Sequence, residues 1–535
     1  MRINRFIPCL WLLLLFAQQN LISQTNPFLS DFDYLVKKLE ETHPDPYTGF
    51  GGTEGFIQKK NHFSELMKED LTPEAFVMLL NQFLSSLNDG HTFANFPDNS
   101  AKSTQVLPMR FKIAADGIFV LNTTSEFAHL RGMTLSSVNG YPVDELLART
   151  KSFLPAENLY GEYFNLLQIL NNNTQAQRFF STTDPLEFAF TFIDNKKVSQ
   201  TIPYQDSVVF LPEQSALHFE NSNGMLYWSL MGENNDIAYL AWNSILSREV
   251  LESAYRSNPQ WIEGHINWAY SFLNFPKTGD LEQDIQSVPS LYEEFYLLSK
   301  AASEAHARYL IIDLRYNGGG MTPIVRPLLY PLYGDAFLDF DFNGDYSRRI
   351  SPLWLQKIGF SNLDDFNTAN ATQYTMGDFM SHPFGNMPEN LSLEEKRVLI
   401  LQACEGFGKE YLAKTPPLTD VEIIILTSPH TFSAAIHFTW FMERLGRTTL
   451  VGVPSRQAGN AFMESTFFNL PATHISVSIS NARQILYCPE DDRGQIIRPH
   501  YEMYLDDYAR LGFDANAEIL RALEVINMKK TVRSK

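Results

Sequence analysis

The sequence predicts an α/β protein whose main core is preceded by a helical region and a small β-rich module. Three observations carry this. Residues 309–313 and 421–426 are almost wholly apolar, with no polar alternation, the pattern of strands buried on both faces of a parallel sheet. Segments of helical periodicity, one ending near 305 and another over 433–445, lie beside these strands. Between about 105 and 205 the texture changes to short alternating runs punctuated by turn signals such as Asn139-Gly140.

The 535 residues leave room for two to four domains at roughly 100–200 residues each. With 44% hydrophobic and 13% aromatic residues, the chain can bury a large core, which excludes wholesale disorder. Lys and Arg number 42 against 61 Asp and Glu, a formal charge of −19. That balance argues against nucleic acid as the main partner, because a phosphate track needs a basic surface.

The elements follow in order. Residues 1–24 read as a signal peptide: Arg2 and Arg5, an uncharged apolar run over 6–16, then a polar stretch. That run of 11 residues is shorter than the ~20 a membrane-spanning helix needs. No later stretch comes closer, so the expectation is an exported protein, periplasmic or secreted, with no stable membrane span. Cys9 falls in the leader, leaving Cys404 and Cys488, too few for a disulfide framework. CxxC, HExxH and zinc-like histidine spacings are absent from the sequence, so neither a metal nor a cofactor is expected.

Residues 25–100 form an N-terminal helical region, with Phe32, Leu35, Val36 and Leu39 at helical spacing and Pro44 and Pro73 as punctuation. Residues 101–210 form the β-rich module, including a hairpin expected around Asp194-Asn195. Residues 211–515 form the α/β core, with an insertion or lid at about 330–420, and 516–535 form a C-terminal tail.

Three segments could carry chemistry. In Asp313-Leu314-Arg315-Tyr316-Asn317-Gly318-Gly319-Gly320 a buried strand runs directly into Asn and three glycines. Such a run is either a flexible turn or a place where a ligand approaches backbone amides. It has neither the Walker nor the dinucleotide spacing. In Thr427-Ser428-Pro429-His430-Thr431-Phe432-Ser433-Ala434-Ala435 a strand gives way to a helix near Ser433. A serine there is a helix cap or a nucleophile, and in the second case the Ala434 amide points at an oxyanion at the positive helix end. The third segment, Leu87-Asn88-Asp89-Gly90-His91-Thr92, puts a histidine in a polar turn, where it is a structural residue or a general base.

Together, in this order along the chain, these stretches resemble the S41 serine peptidases: the tail-specific or C-terminal-processing proteases and their tricorn-like relatives. The segment from Val451-Gly452 to Gly459 resembles them too, and residues 135–147 resemble the family's PDZ-like domain. The resemblance implies a ClpP/crotonase-like peptidase core with a PDZ-like module. Carried over by position, Ser433 resembles the nucleophile. Gly318 and Ala434 resemble the sources of the oxyanion-hole amides, with Gly319 the lesser alternative. The processing-protease branch uses a lysine 25 residues beyond the serine, where this chain has Ala458. An alanine cannot take a proton, and Arg456 nearby stays protonated. The chain is therefore closer to the tricorn-like branch, in which a histidine acts as base, and His91 resembles that residue. Glu490, 57 residues after Ser433, has the approximate place of the orienting carboxylate, with Asp491 and Asp492 as adjacent rivals; the alternative is that 490–493 is a solvated acidic turn. His430 and His437 flank Ser433; the former is a weaker rival for the base, and the latter has the place of a packing residue.

The function expected from the sequence is an exported serine peptidase acting on peptide or protein substrates through an acyl-enzyme on Ser433. The alternative is a peptidase-fold protein without turnover that binds peptides or acts as a scaffold.

Overall fold

The computed structural model describes residues 26–96, 105–192, 196–219, 224–257, 262–404 and 408–533. The expected leader at 1–24 lies outside them.

The chain opens with helix Pro27–Thr42, started by Asn26, whose side chain accepts from the amides of Phe28 and Leu29. Phe32, Leu35, Val36 and Leu39 recur on one face and pack with Phe76, Val77, Leu80 and Phe83 of helix Pro73–Leu84. The region ends in a short strand, β1 (Phe93–Ala94).

A second unit holds β2 (Met109–Ala114), β3 (Gly117–Thr123), β4 (Thr134–Val138), β5 (Tyr141–Pro142), β6 (Leu186–Thr191) and β7 (Lys197–Ile202). These pair antiparallel in the order β2-β3-β4-β6-β7, with β5 on β4. β6 and β7 form the expected hairpin, although its turn at 193–195 lies outside the described residues. Helices Val143–Lys151 and Leu159–Asn171 cover this sheet and share its core. The loop between them, 152–158, carries Glu157.

The remaining strands are β8 (Leu226–Met231), β9 (Ile237–Trp242), β10 (Tyr309–Asp313), β11 (Gly344–Arg349), β12 (Phe379–Phe384), β13 (Glu422–Thr427), β14 (Thr448–Gly452), β15 (Ala461–Asn469), β16 (Ser476–Ile485) and β17 (Tyr501–Glu502). They make two sheets. The first runs β17-β14-β13-β10-β9-β8, parallel except for the antiparallel edge strand β8. Every residue of β9 and β10 is buried, as their unalternating sequences predict. The second runs β1-β16-β11-β12, with β15 paired to β16.

This second sheet corrects the ClpP/crotonase-like core expected from the sequence. Two of its strands, β11 and β12, come from the 330–420 segment, and β1 comes from the N-terminal region. That segment is therefore built into the sheet. An apolar strand flanked by helices reports burial on both faces, but it does not report strand order or which second sheet the core meets.

Residues 517–533 form a helix across the outer face of the first sheet, where Ile519, Ala522, Val525 and Ile526 meet Ile311, Ile424 and Val451. Its buried Glu518 accepts from Arg315 at 2.6 Å, Lys112 at 2.7 Å and Tyr508 at 2.6 Å. Arg315 also binds Asp313 at the end of β10. Burial pushes the Glu518 carboxyl upward, but the Lys112 and Arg315 charges prevail and bring it down to about 2. This network fixes the exit of β10, from which the glycine run departs.

Candidate active site

β13 ends at Thr427, and helix Ala434–Arg444 begins immediately after Ser433. Ser433 occupies the N-cap position at φ 56° and ψ −124°, and its side chain makes no capping hydrogen bond. A non-glycine residue at positive φ costs about 1–3 kcal/mol and persists only where its surroundings impose it. Here they do. Thr431 Oγ1 donates to the Leu314 carbonyl at 2.8 Å, Ser428 Oγ donates to that of Arg315 at 2.5 Å, and the Phe432 amide donates to Asn317 at 3.0 Å. The Ser433 amide donates to Gln457 Oε1. Of the two readings of Ser433 from sequence, the cap is not formed and the hydroxyl is left free of that role.

The glycine run lies against this turn. A Cβ on Gly319, at φ +99°, would stand 2.6 Å from Ser433 Cβ and 2.7 Å from the Phe432 carbonyl oxygen. One on Gly320 would fall 1.9 Å from the Ile245 carbonyl oxygen, because the run bridges to Ile245 on either side of that glycine. The Gly319 amide donates to Asn317 Oδ1 at 2.9 Å. The amides of Gly318 and Ala434 donate to no group among the described residues, and the space beside Gly318 is open. Two unpaired N–H groups therefore flank Ser433, one of them at a helix N-terminus.

His91 enters from the N-terminal region, held by the pairing of β1 with β16. Its carbonyl accepts from Ser478 Oγ at 2.7 Å, and its amide donates to Asp89 Oδ1 at 2.8 Å. The ring is buried and stacks on Phe432, next to Ser433 in the chain, with centroids 4.5 Å apart. Neither ring nitrogen has a hydrogen-bond partner among the described residues, so no bond joins His91 to Ser433. Catalytic hydrogen bonds in substrate-free enzymes are often long and tighten only with substrate bound.

A carboxylate does stand behind His91, but it is Glu157. Its Oε1 lies 3.6 Å from His91 Nδ1. Its oxygens also accept from the Gly90 amide at 3.2 Å and the Ala458 amide at 2.9 Å. Burial raises the Glu157 carboxyl above its ordinary range against the opposing pull of His91. Asp89 makes a second layer, with Oδ2 3.3 Å from His43 Nε2 and bonded to Thr92 Oγ1 at 2.5 Å. Burial alone would raise the Asp89 carboxyl, but the His43 hydrogen bond and the charges of His43 and His91 bring it down to about 2.

Asp89, His91 and Glu157 bring one potential ligand atom each within 4.8 Å of one another. Each of these carboxylates already accepts at least two protein donors, so the group is arranged as a hydrogen-bonded support for the imidazole and not as an open set of metal ligands.

Glu490 stands elsewhere, exposed in a turn. Asp491 binds Arg493 at 2.6 Å, and neither of these, nor Asp492, pairs with His91 among the described residues. His437 is buried between Thr322 Oγ1 at 2.7 Å and Gln484 Oε1 at 2.5 Å. Burial pushes it down to about 4, so it is neutral near pH 7. His430 packs edge-on against Phe164. Arg456 lies over the rings of Phe164 and Phe432, so Phe432 is held between His91 and a guanidinium.

The structure thus gathers Ser433, Gly318, Gly319, Ala434 and His91, and leaves Glu490 outside. Glu157 and Gln457 are the residues that sequence reasoning missed. Glu157 carries no motif and lies 66 positions from His91. Gln457 had one available signal, its place in the Gly452–Gly459 stretch beside the missing lysine.

Residues 283–484 match the model of peptidase family S41. No curated protein matches the chain. Among solved structures, mature CPAF complexed with lactacystin is similar at TM-score 0.54 and 14% identity, covering 93% of this chain and 98% of that one. Mature CPAF alone gives TM-score 0.53 at 16% identity, covering 93% and 97%. A CPAF mutant gives TM-score 0.54 at 15% identity, covering 92% and 95%. The family match is confined to residues 283–484, and the likeness to CPAF is one of fold. The fold is similar to that of CPAF, in place of the ClpP/crotonase-like one expected from the sequence.

Proposed function

We propose that the protein is an exported serine peptidase that cleaves peptide bonds through an acyl-enzyme on Ser433, with His91 as general base. The observation that carries this reading is the strained, uncapped Ser433 turn facing the unpaired amides of Gly318 and Ala434, with the buried His91–Glu157 pair alongside.

The chemistry follows from the placement. His91 takes the Ser433 proton as Oγ attacks the scissile carbonyl, and the two amides hold the developing oxyanion. His91 then gives the proton to the leaving amine, and it later activates the water that hydrolyses the ester. Glu157, in place of Glu490, orients the imidazole and balances its charge while protonated. Asp89 and His43 hold the backbone of the His91 turn. No step requires a metal, and the substrate is a peptide or protein chain.

A second reading, a peptide-binding module without turnover, is favoured by one observation: His91 makes no hydrogen bond to Ser433. Labelling with a fluorophosphonate separates the two. The peptidase reading expects wild type to be labelled, Ser433→Ala not at all, and His91→Ala far more slowly. Wild type that resists labelling and hydrolyses no peptide or activated ester would overturn it.

A further inference from the structure

A cavity of about 830 Å³ opens next to this turn. It falls within the ~300–1,000 Å³ range of ligand pockets and has room for a side chain together with the peptide atoms beside it. Thr322 and His437 form its near wall. Thr322 is three residues past Gly319, and His437 is one helical turn past Ser433, about 6 Å along the helix axis. Tyr346, Phe384, Met387 and Ile400 supply apolar lining.

The unusual group in this cavity is Arg326. One Nη donates to the carbonyls of Gly385 at 3.0 Å and Asn386 at 3.2 Å, which fixes the guanidinium in place. Its Nε is buried with no partner, and no carboxylate lies within ion-pair distance of it among the described residues. The cavity's acidic groups do not serve it. Glu464 is engaged by Arg348 at 2.8 Å and Lys357 at 3.4 Å, and Glu389 is exposed at the rim. The neutral His437 wall adds no competing charge. The guanidinium is half-buried, and its unpaired Nε–H has no protein acceptor, so it is available to an anionic ligand; its planar fork matches a carboxylate.

We propose that this cavity binds a carboxylate of the substrate, with Arg326 as its anchor. The inference rests on the peptidase reading and adds the substrate class: peptides carrying an acidic side chain, or a free chain end, close to the scissile bond. The apolar lining takes the aliphatic part of that residue, and Arg326 takes its charge.

Binding tests this independently of turnover. Fluorescent octapeptide pools, randomised except for Glu or Gln fixed at one position, each with a free or an amidated C-terminus, are titrated against Ser433→Ala by anisotropy. A side-chain carboxylate predicts about tenfold tighter binding of Glu over Gln at one position. A chain-end carboxylate predicts the same ratio between free and amidated ends. In the double variant with Arg326→Gln, whichever ratio is present falls to about one. Ratios near one in both arms, or a preference that survives Arg326→Gln, overturn the anchor. Fluorophosphonate labelling of wild type reports separately on the peptidase reading, so either can fail while the other stands.

Discussion

Glu157 Oε1 lies 3.6 Å from His91 Nδ1, while the other oxygen of the same carboxylate accepts the Ala458 amide at 2.9 Å. One side chain therefore links the candidate base to the position where the processing-protease branch carries its lysine. The backbone at Ala458 seats an acid behind a histidine, which under the proposed function makes His91 rather than a lysine the base.

Replacing that acid separates it from the carboxylate expected from the sequence. Glu157→Gln keeps the shape but removes the charge, and kcat should fall by roughly 10²–10⁴-fold on a peptide or activated ester. Glu490→Ala, in an exposed turn, should change kcat by less than about twofold. The opposite ranking in steady-state assays would return the orienting role to Glu490.

Ala458→Lys should not create a working serine–lysine dyad. Ala458 is buried and packed in the main core, and a lysine there would displace its neighbours and compete with His91 for Glu157. The expected outcome is at least a tenfold loss of kcat/KM. A gain in activity, measured beside His91→Ala in the same background, would contradict the assignment of the base.

Gly319→Ala tests the close approach at the nucleophile. The added Cβ would meet Ser433 Cβ at 2.6 Å and the Phe432 carbonyl oxygen at 2.7 Å, at a φ that disfavours any side chain. Both neighbours are held by backbone bonds, so the Ser433 turn must move. Fluorophosphonate labelling should slow by about 10²-fold, with a stability loss of about 1–3 kcal/mol. Gly318→Ala, which meets open space, should cost far less stability.

Acid should unfold the protein through two buried carboxylates. Asp89 and Glu518 each titrate at about 2 in the fold, below their ordinary values of 3.8 and 4.5. A depressed pKa contributes stability that is fully present above the unfolded value and is lost as pH falls through the folded one. Thermal unfolding should therefore show stability falling from about pH 4.5 towards pH 2, by a few kcal/mol for the pair. Glu518→Gln should be destabilised by about 3–5 kcal/mol near neutral pH, because Arg315 and Lys112 stay buried without their anion. It should also lose part of the acid-dependent slope. A slope unchanged in that variant would exclude Glu518 as its source.

What the sequence determined by itself was local. Unalternating apolar runs marked β10 and β13, helical spacing marked the lead-in, and the glycine run and the Ser433 strand-to-helix transition marked the two loops that meet at the site. Each is a property of neighbouring residues, set by backbone preference and by which faces are buried. Tertiary structure decided which distant groups come together. It brought Glu157 to His91 across 66 positions, gave the Gly319 amide to Asn317, drew two strands of the 330–420 segment into a sheet, and set Arg326 in a cavity with no acid partner among the described residues. Such pairings depend on how elements pack against one another. A carboxylate in a short loop between helices carries no periodicity to announce its partner, whereas Glu490 matched by spacing alone and was left in solvent.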